Sequence, residues 1–373
     1  MPDHTKASSG PLARFDKKRL AITGGAIAGV AILIAVILVV TGGSPKKANA
    51  GGAGAKTPST APTLAGNLCP LTGAPAPGGA VPKRPALLVK IGNEPDGARP
   101  QSGLNEADIV FDTPAEGFIM RYMAVYQCNN ASSIGPTRSV RWVDYHLARM
   151  FVHPILTFAG GINPNVDTVM ADSWISPANL LAGAGAAGTR ISSRVAPDNL
   201  YTSTSSLWAL YPKSVTPPPP IFTYSSSVPS GATATSGVQI NFSSGTDAIW
   251  KWNAAGNDWV HSYTTGADTD TLTGAPVSTT NVVMMIVTYH FGPYIESTGG
   301  SGDFESQTEG QGQGYVLRNG KRIAVTWHRK DLLSPLTFTD SSGQAVALAP
   351  GRTWVELVPD TVDRTKGNVT FSS

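Results

Sequence analysis

Two arginines three residues apart, Arg138 and Arg141, stand directly after Gly135-Pro136-Thr137 in a chain whose charged residues make up only 14%. Guanidiniums at that spacing suit bidentate binding of phosphate or carboxylate, more so at a helix start, where backbone N–H groups are unpaired. Arg99, Arg121, Asp108 and Glu116 fall in adjoining stretches that read as strands and turns and can line the same cleft. A carboxylate such as Asp108 or Glu116 does acid–base chemistry when its pocket raises the pKa. Three roles are therefore open to the set. Arg99, Arg121, Arg138 and Arg141 bind an anion or glycan; Asp108 or Glu116 serves an envelope hydrolase or transferase; or all six are salt bridges tying strand ends to a helix.

Other chemistries find less support. No H-E-x-x-H, C-x-x-C, Walker A or G-x-S-x-G motif occurs. The six histidines (His4, His146, His153, His261, His290, His328) lack ligand spacing and there are two cysteines, so no metal and no cofactor is expected. His153 and His328 read as packing histidines sooner than as cleft titrants. Gly183 to Gly188 matches G-x-G-x-x-G, but Thr189-Arg190-Ile191 opens no helix, so the segment reads as a loop. Trp250, Trp252, Trp259, Trp327 and Trp354 read as core and cross-strand aromatics in preference to a sugar-stacking platform.

The elements that must position these residues follow from periodicity. Residues 86–91, 108–111, 118–127 and 155–158 read as strands, and 137–150, 165–174 and 202–210 as helices. Pro136 and Thr137 start the first helix, whose inward face is Val140, Val143, Leu147 and Met150. Strands interleaved with helices predict a mixed α/β layer. Pro217 to Pro220 form a stiff extended spacer, a domain boundary or hinge. Beyond it the texture is β: 238–242 alternates, 248–252 and 259–263 flank a turn, and 315–317 and 323–327 flank Asn319-Gly320, the strongest short hairpin signal. Residues 336–338 and 346–348 flank Ser342-Gly343. Residues 292–314, glycine-rich and acidic, read as a mobile surface loop. The fold class is α+β, with an α/β domain over 69–215 and a β-rich domain over 216–362.

Upstream lies a different texture. Residues 1–19 are basic and 20–42 carry no charge, enough apolar length to span a ~30 Å hydrocarbon core. Lys17-Lys18-Arg19 keep the N-terminus in the cytoplasm and place the rest outside. A signal peptide cleaved after Ala50 is the alternative, and it leaves the ectodomain on the same side. Residues 43–68, almost all small or Pro, read as a disordered linker reaching roughly 25–30 Å. Eight of the 28 Lys and Arg lie in the first 56 residues, with only Asp3 and Asp16 against them, so the ectodomain is mildly acidic. Nucleic acid is a poor partner for it; the expected partners are the membrane and an anionic envelope polymer or another protein. Cys69 and Cys128 share an oxidising space, where pairing is favoured over two unrelated thiols and lipidation at Cys69 is disfavoured.

Several stretches together resemble the bacterial DUF3048 family of YerB-type envelope proteins. They are Cys69-Pro70-Leu71-Thr72-Gly73, residues 99–104, Glu106-Ala107-Asp108-Ile109-Val110, Glu116-Gly117, residues 135–141 and Gly351-Arg352-Thr353-Trp354. The resemblance spans roughly residues 69–360. It implies an N-terminal α/β and a C-terminal β-rich module on an envelope protein, and no established activity. Two departures stand out. A transmembrane anchor replaces the lipoprotein pattern, and Asp198 stands where the family pattern leads one to expect His, which puts any chemistry of that histidine in doubt here.

Overall fold

The computed structural model describes residues 66–243, 246–295, 302–360 and 368–373. The expected cytoplasmic segment, the transmembrane helix and nearly all of the linker lie outside them. Among the described residues no helix is long and apolar enough to cross a membrane.

Apolar runs become strands buried on both faces, as a covered sheet requires. In the first half these are β1 (Leu87–Ile91), β2 (Ile109–Pro114), β3 (Met120–Tyr126), β4 (Ile155–Phe158), β5 (Ser176–Asn179) and a small ribbon of β6 (Thr189–Arg190) with β7 (Leu200–Tyr201). Helices α1 (Trp142–Ala148), α2 (Asn163–Ala171) and α3 (Thr204–Ala209) are short. The second half holds β8 (Thr233–Ala234), β9 (Gly237–Ser243), β10 (Thr246–Asn253), β11 (Asp258–Tyr263), β12 (Gly266–Ala267), β13 (Ser278–Thr279) and β14 (Asn281–Val287). It continues with β15 (Tyr289–Ile295), β16 (Gly302–Ser306), β17 (Gly310–Arg318), β18 (Lys321–Arg329), β19 (Thr337–Thr339), β20 (Thr353–Pro359) and β21 (Asn368–Ser372).

One 11-stranded sheet, ordered β19-β18-β17-β14-β20-β2-β3-β1-β4-β5 with β8 on β18, takes strands from both sides of the proline run. The junction is parallel: β2 pairs with β20, Ile109 opposite Thr353 and Asp112 opposite Glu356. β20 also runs parallel to β14, and β1, β4 and β5 are mutually parallel. Because β3 is antiparallel to both β1 and β2, all six parallel strands point the same way. One face is covered by Val143, Leu147, Phe151, Val169, Ile221 and Phe222. The other carries a six-stranded sheet, β12-β11-β10-β9-β21 with β13 on β11, whose Trp250 and Trp259 pack toward Tyr122 and Trp354. Ile221 and Phe222, directly after the four prolines, are wholly buried.

Two expectations fail. The first helix begins at Trp142, not at Thr137, because residues 137–140 are drawn out between strands: Arg138 N donates to Lys90 O and Val140 N to Gly160 O. Residues 292–314 are not a loop where they are described. β15 pairs with β16, with Tyr289 opposite Ser306, and β17 starts at Gly310. The Asn319-Gly320 hairpin forms, with Arg318 opposite Lys321 and both turn residues at positive φ.

Candidate functional site

In open sheets with parallel strands, ligand sites sit beyond the carboxyl ends of the strands. That edge here is ionic. From β1, Lys90 Nζ meets Asp144 Oδ1 of α1 at 2.7 Å and Thr113 Oγ1 of β2 at 2.6 Å, with no exposure of either charged side chain. Beyond β1, Glu94 accepts from Arg121 at 2.8 Å and lies 3.4 Å from Arg138 Nε. Arg138 also pairs with Asp198 and donates to Pro197 O. Arg141, fully buried, binds Glu116 Oε2 at 2.5 Å and approaches Asp303 Oδ1 of β16 at 3.9 Å. Asn165 Nδ2 of α2 donates to Asp303 Oδ2 at 2.6 Å. Asp144 Oδ2 accepts from Arg141 N and caps α1. The helix is seven residues long, and the Asp144 carboxylate already occupies the N–H of Arg141 at its start, where an anion was expected.

The electrostatics follow from desolvation against pairing. Burial works against the charge of Glu94, but Arg121 and Arg138 outweigh it and hold the carboxyl below its ordinary range. Glu116 is lowered likewise, burial being overcome by Arg141. Asp303 goes the other way: burial pushes it up to about 6 despite Asn165 and Arg141, with Glu116 and Asp144 adding to the rise. Lys90 is lowered by burial, with Asp144 opposing. Arg121, Arg138, Arg141 and Lys90 each have a carboxylate partner, so an incoming anion meets no uncompensated cation among them.

The six residues singled out by sequence do not converge. Glu116, Arg121, Arg138 and Arg141 share the ionic edge. Asp108 lies at the opposite end of β2, buried, accepting from the backbone N–H of Gln127 and Cys128 and from Asn129 Nδ2. Burial raises it to about 6 against those donors and Arg84. It orders the turn beside the Cys69–Cys128 disulfide. Arg99 stands apart from the ion pairs. Its Nε donates to Asn93 Oδ1 at 2.8 Å, and its guanidinium lies 3.4 Å above the Tyr263 ring. No carboxylate pairs with it among the described residues. It lines a groove of about 450 Å³ with Pro95, Asp96, Pro100, Tyr263 and Asp268. Trp250, Trp259, Trp327 and Trp354 are buried, so they offer no sugar platform.

Sequence reasoning missed Lys90, Glu94, Asp144 and Asp303, and marked Asp198 only as a departure from the family pattern, not as the partner of Arg138. Lys90 carried a signal, a lone charge inside an apolar strand run; Asp144, three residues after Arg141, carried that of a capping box. Asp303 had none, since only tertiary folding brings β16 to α1.

Residues 71–216 match the DUF3048 N-terminal domain and 238–355 its C-terminal domain, both described as of unknown function. The chain belongs to the DUF3048 family. A candidate lipoprotein of Bacillus subtilis (strain 168), YerB, is 27% identical over 314 residues, covering 81% of this chain and 88% of YerB. The crystal structure of the YerB protein from Bacillus subtilis has a TM-score of 0.68 at 23% identity, over 81% of this chain and 99% of that one, a likeness of fold. The two DUF3048 segments thus contribute strands to a single sheet, β2 from the first and β14, β17 and β18 from the second.

Proposed function

We propose that this DUF3048 protein is a single-pass, membrane-tethered envelope protein that captures an anionic ligand outside the cytoplasm through Arg99. Placement is supported by the uncharged stretch 20–42 after Lys17-Lys18-Arg19, by the candidate-lipoprotein relative, and by a disulfide suited to an oxidising space. With its sulfur in that bond, Cys69 has no thiol for a lipid, so the tether is the apolar stretch. One observation carries the ligand reading. Arg99 alone of the four arginines lacks a carboxylate partner among the described residues, and its guanidinium carbon lies over the Tyr263 ring at the wall of a groove. A guanidinium held over an aromatic face, with its Nε bound to Asn93, keeps its outer N–H groups for a phosphate or carboxylate.

The test is a thermal-shift titration of the full chain in detergent micelles with envelope phosphoglycans, peptidoglycan fragments and simple anions. A ligand should raise the wild-type Tm and leave Arg99→Ala unmoved, while Arg138→Ala melts earlier at baseline and still responds. A shift that survives Arg99→Ala, or one lost in a normally folded Arg138→Ala, would move the site to the ionic edge. Protease accessibility from the outside only would check the topology.

A further inference from the structure

Behind the groove, and beyond the ligand reading, lies a buried pair of acids. Asp112 of β2 and Glu356 of β20 are opposite one another on parallel strands and expose 2% and nothing. Their carboxyl groups are within hydrogen-bonding reach of each other. Among the described residues neither is ion-paired with a Lys or Arg. Asp112 Oδ1 and Glu356 Oε2 are each buried without a donor, whereas Glu356 Oε1 accepts from Trp250 Nε1 at 2.7 Å. Trp250, Trp354 and His261 roof the pair, with ring centroids 4.6 to 5.5 Å apart.

Two like charges so placed cannot both persist, because desolvation and mutual repulsion add. One proton between the two orphaned oxygens satisfies both. We propose that Asp112 and Glu356 hold a single proton between them at neutral pH, and that this shared proton fastens the seam between the two DUF3048 modules.

Burial outweighs the positive charge nearby: Arg99 and Lys90 favour the Asp112 carboxylate and His261 favours that of Glu356, yet both acids stay raised. Lys90 from β1 is committed to Asp144 and Thr113, and Arg99 lies on Tyr263. His261 of β11 shares its Nδ1 with Asp268, and Tyr263 Oη bonds Asp268, Asn93 and Tyr122 Oη. Tyr289 of β15 donates to Leu357 O. Burial, then the neighbouring acid, raise Asp112 well above its ordinary value, and burial raises Glu356. For carboxyls raised on folding, the stabilisation is full at low pH and is lost as pH rises through the folded value.

The experiment uses the full chain in detergent micelles at about pH 8, where Asp108 and Asp303 are largely ionised. Infrared spectra should show a protonated-carboxyl C=O band that disappears in both Asp112→Asn and Glu356→Gln, whose amides donate without a borrowed proton. Melting profiles between about pH 7 and 9, above the titration of Asp108 and Asp303 and below that of tyrosine, should fall more steeply in the wild type than in either variant. A wild-type spectrum without the band, a band unchanged in both variants, or parallel pH profiles would overturn the shared proton. The wild-type spectrum decides even if a variant fails to fold.

Discussion

Replacing Arg141 by alanine would strand Glu116 and Asp303 as buried charges, a loss of about 3–5 kcal/mol for a broken buried pair. Chemical denaturation should register it, whereas Arg99→Ala, with no carboxylate to strand, should cost about 1 kcal/mol or less. Asp303 gives a second prediction. Its folded pKa of about 6 lies above the ordinary 3.8, so its stabilisation is full below about pH 4 and is lost as pH rises through 6. Relative to Asp303→Asn, the wild type should therefore gain about 2 kcal/mol between pH 7 and 4, readable from urea midpoints at the two pH values. At this scale the sequence grouped Glu116 with the arginines, as its pairing with Arg141 requires, but not the other acids that meet them. Arg138 and Arg141 were visible as a motif; Asp198 and Asp303, which help neutralise them, lie far along the chain.

Elements governed by local chemistry were legible, and those governed by distant strands were not. Asn319-Gly320 supplies the two positive φ angles its turn needs, so that hairpin follows from two residues. Pro136-Thr137 looked like a helix start, yet β1 and the β4 loop claim the next backbone groups, and the helix yields five residues to them. The Gly351-Arg352-Thr353-Trp354 motif proves to be the entry to β20. A Cβ on Gly351 would meet Thr280 Oγ1 at 2.2 Å, and its φ of 146° disfavours any other residue. Gly351→Ala should thus cost about 1–3 kcal/mol in equilibrium unfolding. Cys128→Ser, opening a loop of 59 residues, should cost about 4 kcal/mol by the same measurement.

At the scale of the whole molecule, the apolar runs announced a buried sheet but not its order. Periodicity says that Ile109 to Pro114 is a strand; it cannot say that the neighbour is Thr353 to Pro359. The shared sheet predicts one calorimetric transition for the two modules, not the two expected of domains joined by a hinge. The same arrangement bears on how the chain comes into being. Arg352 donates to the backbone of Asn105, 247 positions earlier. Whether it leaves a ribosome or threads across a membrane, the chain emerges amino end first, so β2 waits with one edge open until nearly everything has passed. A long-range closure of this kind is slow, and a bare edge invites pairing with strangers. Until its last strands arrive, the half-made protein therefore depends on something else to keep that edge covered.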